Sequence, residues 1–271
     1  MKMKIGLGQL NTQDKKQDNL ASAEKLINDL AAKDAGLIML PEYFNFLGPD
    51  ELKAANAEPI DDSRSLNLIR NKARDLKVYI HIGSYLEKDG NHIYNTGVVF
   101  DPAGEILAKY RKLHLFDVEI PGGMAYLESA TITAGDSVTT FSIGDLKFGM
   151  STCYDLRFPE LFRRLSDQGV QIILLPAAFT LQTGRDHWEL LLRARAVENL
   201  CWVAAAGQWG PSPPEHICFG RSMVVNPWGI VVAQAPDGVS TVTADIDLEI
   251  LGTKRTAFPA LNHRRKDLFR L

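Results

Sequence analysis

The chain has 271 residues, 45% hydrophobic and 23% charged, with a formal net charge of −3. This is ordinary for a soluble globular enzyme, with material for one large domain or two modest ones. The near-balanced charge excludes a general polyanion-binding field, and the short basic runs 109–112 and 263–266 read as solvated faces, so no nucleic-acid partner is expected. No stretch approaches the ~18 apolar residues of a membrane span, and Cys153, Cys201 and Cys218 are an odd set without CxxC spacing. A reducing, cytoplasmic setting is expected, with each cysteine judged on its own.

The first ten residues read as a strand, not a signal peptide. Residues 4–10 and 36–40 are short apolar runs suited to buried strands. Between them Leu20, Ala23, Leu26, Ile27 and Leu30 keep helical spacing, with Asp18 or Asn19 as the cap. A second helix is predicted over 64–76 and a strand over 79–85, followed by a turn at Asp101-Pro102-Ala103-Gly104. The second half is predicted to hold helices near 158–168 and 187–200 and a turn at Asn226-Pro227-Trp228-Gly229.

These two series of elements are related by a degenerate repeat. Lys4-Ile5-Gly6-Leu7 recurs as Lys147-Phe148-Gly149-Met150, and Leu37-Ile38-Met39-Leu40-Pro41 recurs as Ile172-Ile173-Leu174-Leu175-Pro176. Val98-Val99-Phe100-Asp101-Pro102-Ala103-Gly104 recurs as Met223-Val224-Val225-Asn226-Pro227-Trp228-Gly229. Strand–helix–strand crossovers give parallel strands and hairpins add antiparallel ones. The fold class is therefore α/β: two similar halves with mixed sheets covered by helices. With no low-complexity linker, residues 1–271 are expected to form one domain around a shared core.

Cys153 follows an apolar strand and precedes Pro159, which suits the first turn of a helix. A strand-to-helix turn can present a side chain beside backbone N–H groups, favouring a thiolate and an oxyanion; a buried structural cysteine is the plainer alternative. Cys201 sits in an apolar run and reads as core, and Cys218 falls in a Pro-rich loop. Among six histidines, His114 and His187 adjoin informative segments, but a buried carboxylate can also accept a thiol proton. Glu42 ends an apolar strand, and its repeat equivalent is Ala177, so the architecture does not require its charge. Lys112, after the first hairpin, could stabilise developing negative charge, or could be solvated.

Leu40-Pro41-Glu42, Arg111-Lys112-Leu113-His114-Leu115 and Cys153-Tyr154-Asp155-Leu156-Arg157-Phe158-Pro159-Glu160 together resemble the three catalytic blocks of the nitrilase superfamily, in the family's order. The resemblance covers essentially the whole chain. It implies a four-layer α-β-β-α sandwich, a thiol amidase with Glu42 as base, Lys112 as electrostatic stabiliser and Cys153 as nucleophile, and Glu128 as a second glutamate beside the lysine. It also implies a homodimer or larger homo-oligomer, formed through the face carrying the helix after the nucleophile. No metal or cofactor is expected.

His114-Leu115-Phe116-Asp117-Val118-Glu119-Ile120-Pro121 and the segment 183–196 are similar to the Nit1/Nit2-like branch, whose members cleave side-chain amides of 2-oxo acids. The wording of 176–179 and 194–198 favours deaminated glutathione as substrate; that of 114–117 and 181–184 points to the alternative, an ω-amidase acting on 2-oxoglutaramate or 2-oxosuccinamate. N-carbamoyl or nitrile hydrolysis and a catalytically silent scaffold are the further readings. Arg185-Asp186 stands where the branch commonly has Pro-Ala, placing two charges near an expected pocket rim. The small anionic amide is expected to meet Tyr154 (through its backbone N–H), Arg157 as carboxylate grip, and Phe179 and Trp188 as lining.

Overall fold

A computed structural model describes residues 2–119 and 125–269. Its strands in chain order are β1 Lys2–Gln9, β2 Leu37–Met39, β3 Tyr79–His81, β4 Tyr85–Asp89, β5 His92–Phe100, β6 Ile106–Arg111, β7 Asp117–Glu119, β8 Ala125–Leu127 and β9 Thr140–Ile143. They continue as β10 Leu146–Met150, β11 Ile172–Ala177, β12 Trp202–Gly207, β13 Trp209–Ser212, β14 His216–Phe219, β15 Met223–Val225, β16 Val231–Gln234 and β17 Ser240–Asp247. The helices are α1 Lys16–Ala31, α2 Asp50–Asn56, α3 Arg64–Leu76, α4 Pro159–Asp167, α5 Leu181–Asn199 and α6 Leu248–Ala257.

The repeat is a repeat of topology. In the first sheet β1, β2 and β3 are parallel and β5 then β6 add antiparallel; in the second, β10, β11 and β12 are parallel and β15 then β16 add antiparallel. β9, which closes the first half, pairs with β10, whereas β17, which closes the second half, pairs with β1. Each half thus lends its last strand to the other half's sheet.

Strand pleating sorts the apolar runs into layers. Ile5, Leu7, Leu37 and Met39 face Phe148, Met150, Ile172 and Leu174 between the sheets. Ile38, Ile80 and Val98 turn outward onto α1 and α3, through Leu26, Ile27, Leu66 and Ile69. Ile173, Val203 and Val225 turn outward onto α4 and α5, through Phe162, Leu165, Trp188 and Leu192. The result is the α-β-β-α sandwich. No helix among the described residues is long and apolar enough to cross a membrane.

Three local expectations differ. Asp18 and Asn19 lie inside α1, whose N-cap is Lys15 without a side-chain bond. Asn19 instead clasps the preceding loop, accepting from Gln13 N–H at 2.9 Å and donating to the Gln13 and Asn45 carbonyls. The strand 79–85 is two strands, because Gly83 takes φ +74° and a Cβ there would fall 1.9 Å from the Pro41 carbonyl oxygen. Helix α5 begins at Leu181 rather than near 187; Gly184, a weak helix former, is kept helical by packing so close to Phe219 that a Cβ would lie 2.4 Å from it. Ile120 and Pro121 lie outside the described residues.

Candidate active site

The site forms where strand ends of both sheets converge. Glu42 follows β2; its neighbour Tyr43 adopts φ +58° and is pinned through its N–H to the Ser84 hydroxyl at 3.0 Å. Lys112 follows β6 and donates its backbone N–H to the Asn95 carbonyl at 2.9 Å. Past β10, Ser151 donates its N–H and hydroxyl to the Leu174 carbonyl, and the chain turns at Cys153 into a short 3-10 turn, Cys153–Arg157. Cys153 has φ +49°, a left-handed conformation costly for a residue with a Cβ. A capping box between Thr152 and Asp155 holds that turn.

These elements bring Glu42, Lys112, Glu128 and Cys153 to one cavity. The Lys112 Nζ lies 3.1 Å from Glu42 Oε1 and 2.8 Å from Glu128 Oε2, and all three side chains are almost wholly buried. Glu42 also accepts from Asn95 Nδ2 at 2.7 Å and from the Ala178 N–H at 2.7 Å. Glu128 accepts from the Tyr43 hydroxyl at 2.9 Å and the Phe116 N–H at 2.7 Å. Every partner of the two carboxylates is a donor, as a buried carboxylate requires.

Burial pushes the Cys153 thiol well above its usual range, and the Glu42 charge adds to this, while Lys112 opposes it. The resting cysteine is therefore a neutral thiol, not the thiolate that its turn suggested. Burial disfavours the Lys112 ammonium, but the Glu128 and Glu42 carboxylates outweigh that and hold its proton firmly. Burial likewise raises Glu128, yet the Lys112 charge and its hydrogen bonds keep the carboxyl below its usual value. A neutral thiol beside a carboxylate and a fixed ammonium can pass its proton to the carboxylate as sulfur attacks, with the cation and first-turn N–H groups facing the developing oxyanion.

The cavity holds about 550 Å³. None of the four residues expected to meet substrate lines it through its side chain. Trp188 is fully buried in the α5–sheet core, its indole N–H donating to the Arg221 carbonyl at 2.9 Å, and Phe179 packs on it at 5.2 Å. Their inward direction on α5 and after β11 takes them into the core. Arg157 turns to His187 Nδ1 at 3.1 Å and lies over the Phe179 ring, so it pairs with neither Asp155 nor Glu160. The Tyr154 ring packs against Phe116 and Phe158, away from the cavity; its N–H, at the second position of the 3-10 turn, has no intrahelical acceptor. His114 is bound to Asp155 at 2.7 Å. Cys201 is core, pushed up to about 12 by burial. Cys218 is not in a loop but on β14, in the cavity wall, and burial also pushes it up to about 12.

Sequence reasoning missed Asn95, Tyr43, Tyr126, His216 and Lys53. Asn95 had a signal: a poor strand former inside the apolar run of β5. The others come from segments without a distinctive local pattern. Arg185 and Asp186 line a second cavity of about 510 Å³, which shares Tyr126, Thr180 and Ile217 with the first. Among the described residues no cluster of three or more His, Cys, Asp or Glu is placed to hold a metal ion.

Comparison with known proteins gives a consistent picture. Residues 4–256 match the carbon-nitrogen hydrolase family. The chain is 39% identical over 268 residues to omega-amidase NIT2-A of Xenopus laevis, covering 99% of this chain and 97% of that protein. The crystal structure of the C. elegans NitFhit protein superposes with a TM-score of 0.91 at 38% identity, covering 99% of this chain and 66% of that one. The crystal structure of Saccharomyces cerevisiae Nit3, a member of branch 10 of the nitrilase superfamily, superposes with a TM-score of 0.87 at 33% identity, covering 95% of this chain and 94% of that one.

Proposed function

The chain belongs to the carbon-nitrogen hydrolase family and is an amidase, and we propose that it acts as an ω-amidase, releasing ammonia from the side-chain amide of a short 2-oxo acid. The observation that carries this choice of substrate is the end-to-end likeness to an omega-amidase. The wording of 176–179 and 194–198 favours deaminated glutathione; a likeness over the whole chain weighs more than those short segments.

The proposed roles follow the geometry. Glu42 takes the Cys153 proton as sulfur attacks the amide carbon. Lys112 and the Tyr154 N–H stabilise the oxyanion. The tetrahedral adduct collapses, the C–N bond breaks, and Glu42-H returns its proton to the departing ammonia. Water then attacks the thioester with Glu42 again as base, giving the carboxylic acid and the free thiol. Glu128 and Asn95 hold Lys112 and Glu42 in place for both halves.

A longer substrate has one specific observation in its favour: the adjoining cavity carrying Arg185, which could lodge the remainder of deaminated glutathione. Comparing kcat/KM for ammonia release from 2-oxoglutaramate and from deaminated glutathione decides between them, since the ratio measures differential transition-state binding. A ratio above one supports the ω-amidase reading; exclusive turnover of deaminated glutathione, a nitrile or an N-carbamoyl amino acid overturns it.

Self-association is proposed on the family resemblance and an exposed apolar surface. Leu190 and Val197 of α5, Trp228 and Ile230 of the β15–β16 turn, and Phe258 after α6 are each about half exposed or more. Light scattering showing a dimer or larger assembly supports this.

A further inference from the structure

An anionic substrate entering this cavity meets a difficulty. Its lining includes four carboxylates, Glu42, Asp50, Glu51 and Glu128, against two lysines among the described residues, Lys112 and Lys53. Lys112 is already matched by two buried carboxylates. That leaves Lys53 to receive the substrate's negative charge.

Lys53 is built for this. It stands on α2, a helix without a buried residue, yet only 13% of its own side chain is exposed, so it is turned into the cavity and not into solvent. Its partner is Asp50, one turn earlier, at 2.7 Å and 57% exposed. With its carboxylate more than half exposed, such a pair is weak and exchangeable. His216 and Tyr126 line the same cavity, their rings 5.1 Å apart and the Tyr126 hydroxyl 3.3 Å from His216 Nδ1. Burial lowers the His216 proton affinity, the Lys53 ammonium lowers it further, and the Asp50 carboxylate opposes this.

We propose that Lys53, with His216 and Tyr126, forms the carboxylate subsite of the cavity, and that the substrate carboxylate displaces Asp50 from Lys53 on binding. The inference rests on the reading of the substrate as an amide that also carries a carboxylate. It replaces Arg157, which turns to His187, as the grip on that group.

The test uses the full-length enzyme, with two readouts. The first is kcat/KM for 2-oxoglutaramate divided by that for butyramide, a neutral amide. In Lys53→Met this ratio falls at least thirtyfold, mainly through KM for 2-oxoglutaramate, and in Asp50→Asn it rises severalfold. The second is calorimetric binding of 2-oxoglutarate, expected to weaken at least tenfold in Lys53→Met and to recover in Lys53→Arg. If Lys53→Met binds 2-oxoglutarate as wild type does, or keeps the ratio within twofold, the subsite is overturned whatever the substrate. If Lys53→Met weakens 2-oxoglutarate binding while wild type fails to cleave 2-oxoglutaramate, the subsite stands and the ω-amidase reading falls.

Discussion

Asp155 Oδ2 accepts the Tyr110 hydroxyl at 2.6 Å, joining the turn that carries Cys153 to the strand that delivers Lys112. The same carboxylate accepts from Thr152 N–H, His114 N–H and the His114 ring, so it organises both segments at once. Burial raises the Tyr110 phenol far above its usual range, with the Asp155 charge adding, so it stays a donor. Tyr110→Phe is expected to cost about 1.5–3 kcal/mol, the worth of one hydrogen bond to a buried charge. It should lower kcat more than it raises KM, read from steady-state kinetics together with a thermal melt.

Asn95 holds Glu42 Oε1 and Glu128 Oε1 with one amide, at 2.7 and 3.3 Å. Asn95→Leu removes that donor and leaves Lys112, the Tyr43 hydroxyl and the Phe116 and Ala178 N–H groups to offset two carboxylates. A loss of about tenfold to a hundredfold in kcat is expected, matching one charge-assisted hydrogen bond, while Asn95→Asp adds a third carboxylate and should be worse. An equal or better Asn95→Asp rate would remove Asn95 from the account.

Gly83→Ala tests the turn that sets Glu42. Its φ of +74° and the 1.9 Å approach to the Pro41 oxygen leave no room for a methyl group. A destabilisation of at least about 3 kcal/mol is expected from strain and displaced backbone, lowering Tm by roughly 6 °C or more in a chain of this size. Differential scanning calorimetry measures it, and an unchanged Tm would contradict it.

Much of this architecture can be read from the chain, because buried strands announce themselves as unbroken apolar runs and the repeat doubles each signal. The Leu37–Leu40 and Ile172–Leu175 runs give β2 and β11, and the residues after strand ends give Glu42 and Cys153. The rest depends on direction and on contacts between distant segments. Phe179 and Trp188 sit where pocket residues would be sought, yet pleat and helix phase turn them into the core. Lys53 and His216 line one cavity only because α2 and β14 both border it, and neither has a local pattern that marks it.

The neutral state of Cys153 gives a prediction with opposed signs. A thiol held above its usual value of 9.0 stays protonated through neutral pH, and the thiolate fraction grows only as pH rises past that range. Part of the shift comes from the Glu42 charge, so Glu42→Gln lowers the thiol value and should speed iodoacetamide alkylation at pH 7. The same substitution should slow amide turnover by about 10³-fold or more, because the proton acceptor is gone. Cys218 shares the cavity wall, so the measurement belongs in a Cys218→Ala background. If alkylation and turnover fall together, Glu42 acts by forming a thiolate in the resting enzyme instead.

The most direct test is ammonia release from 2-oxoglutaramate by wild type and by Cys153→Ala, with circular dichroism confirming that both are folded. Wild type is expected to turn over, with a loss of about 10⁴-fold or more in the variant, the scale seen when a covalent nucleophile is removed. Retention of turnover in Cys153→Ala would contradict a thioester mechanism at this site.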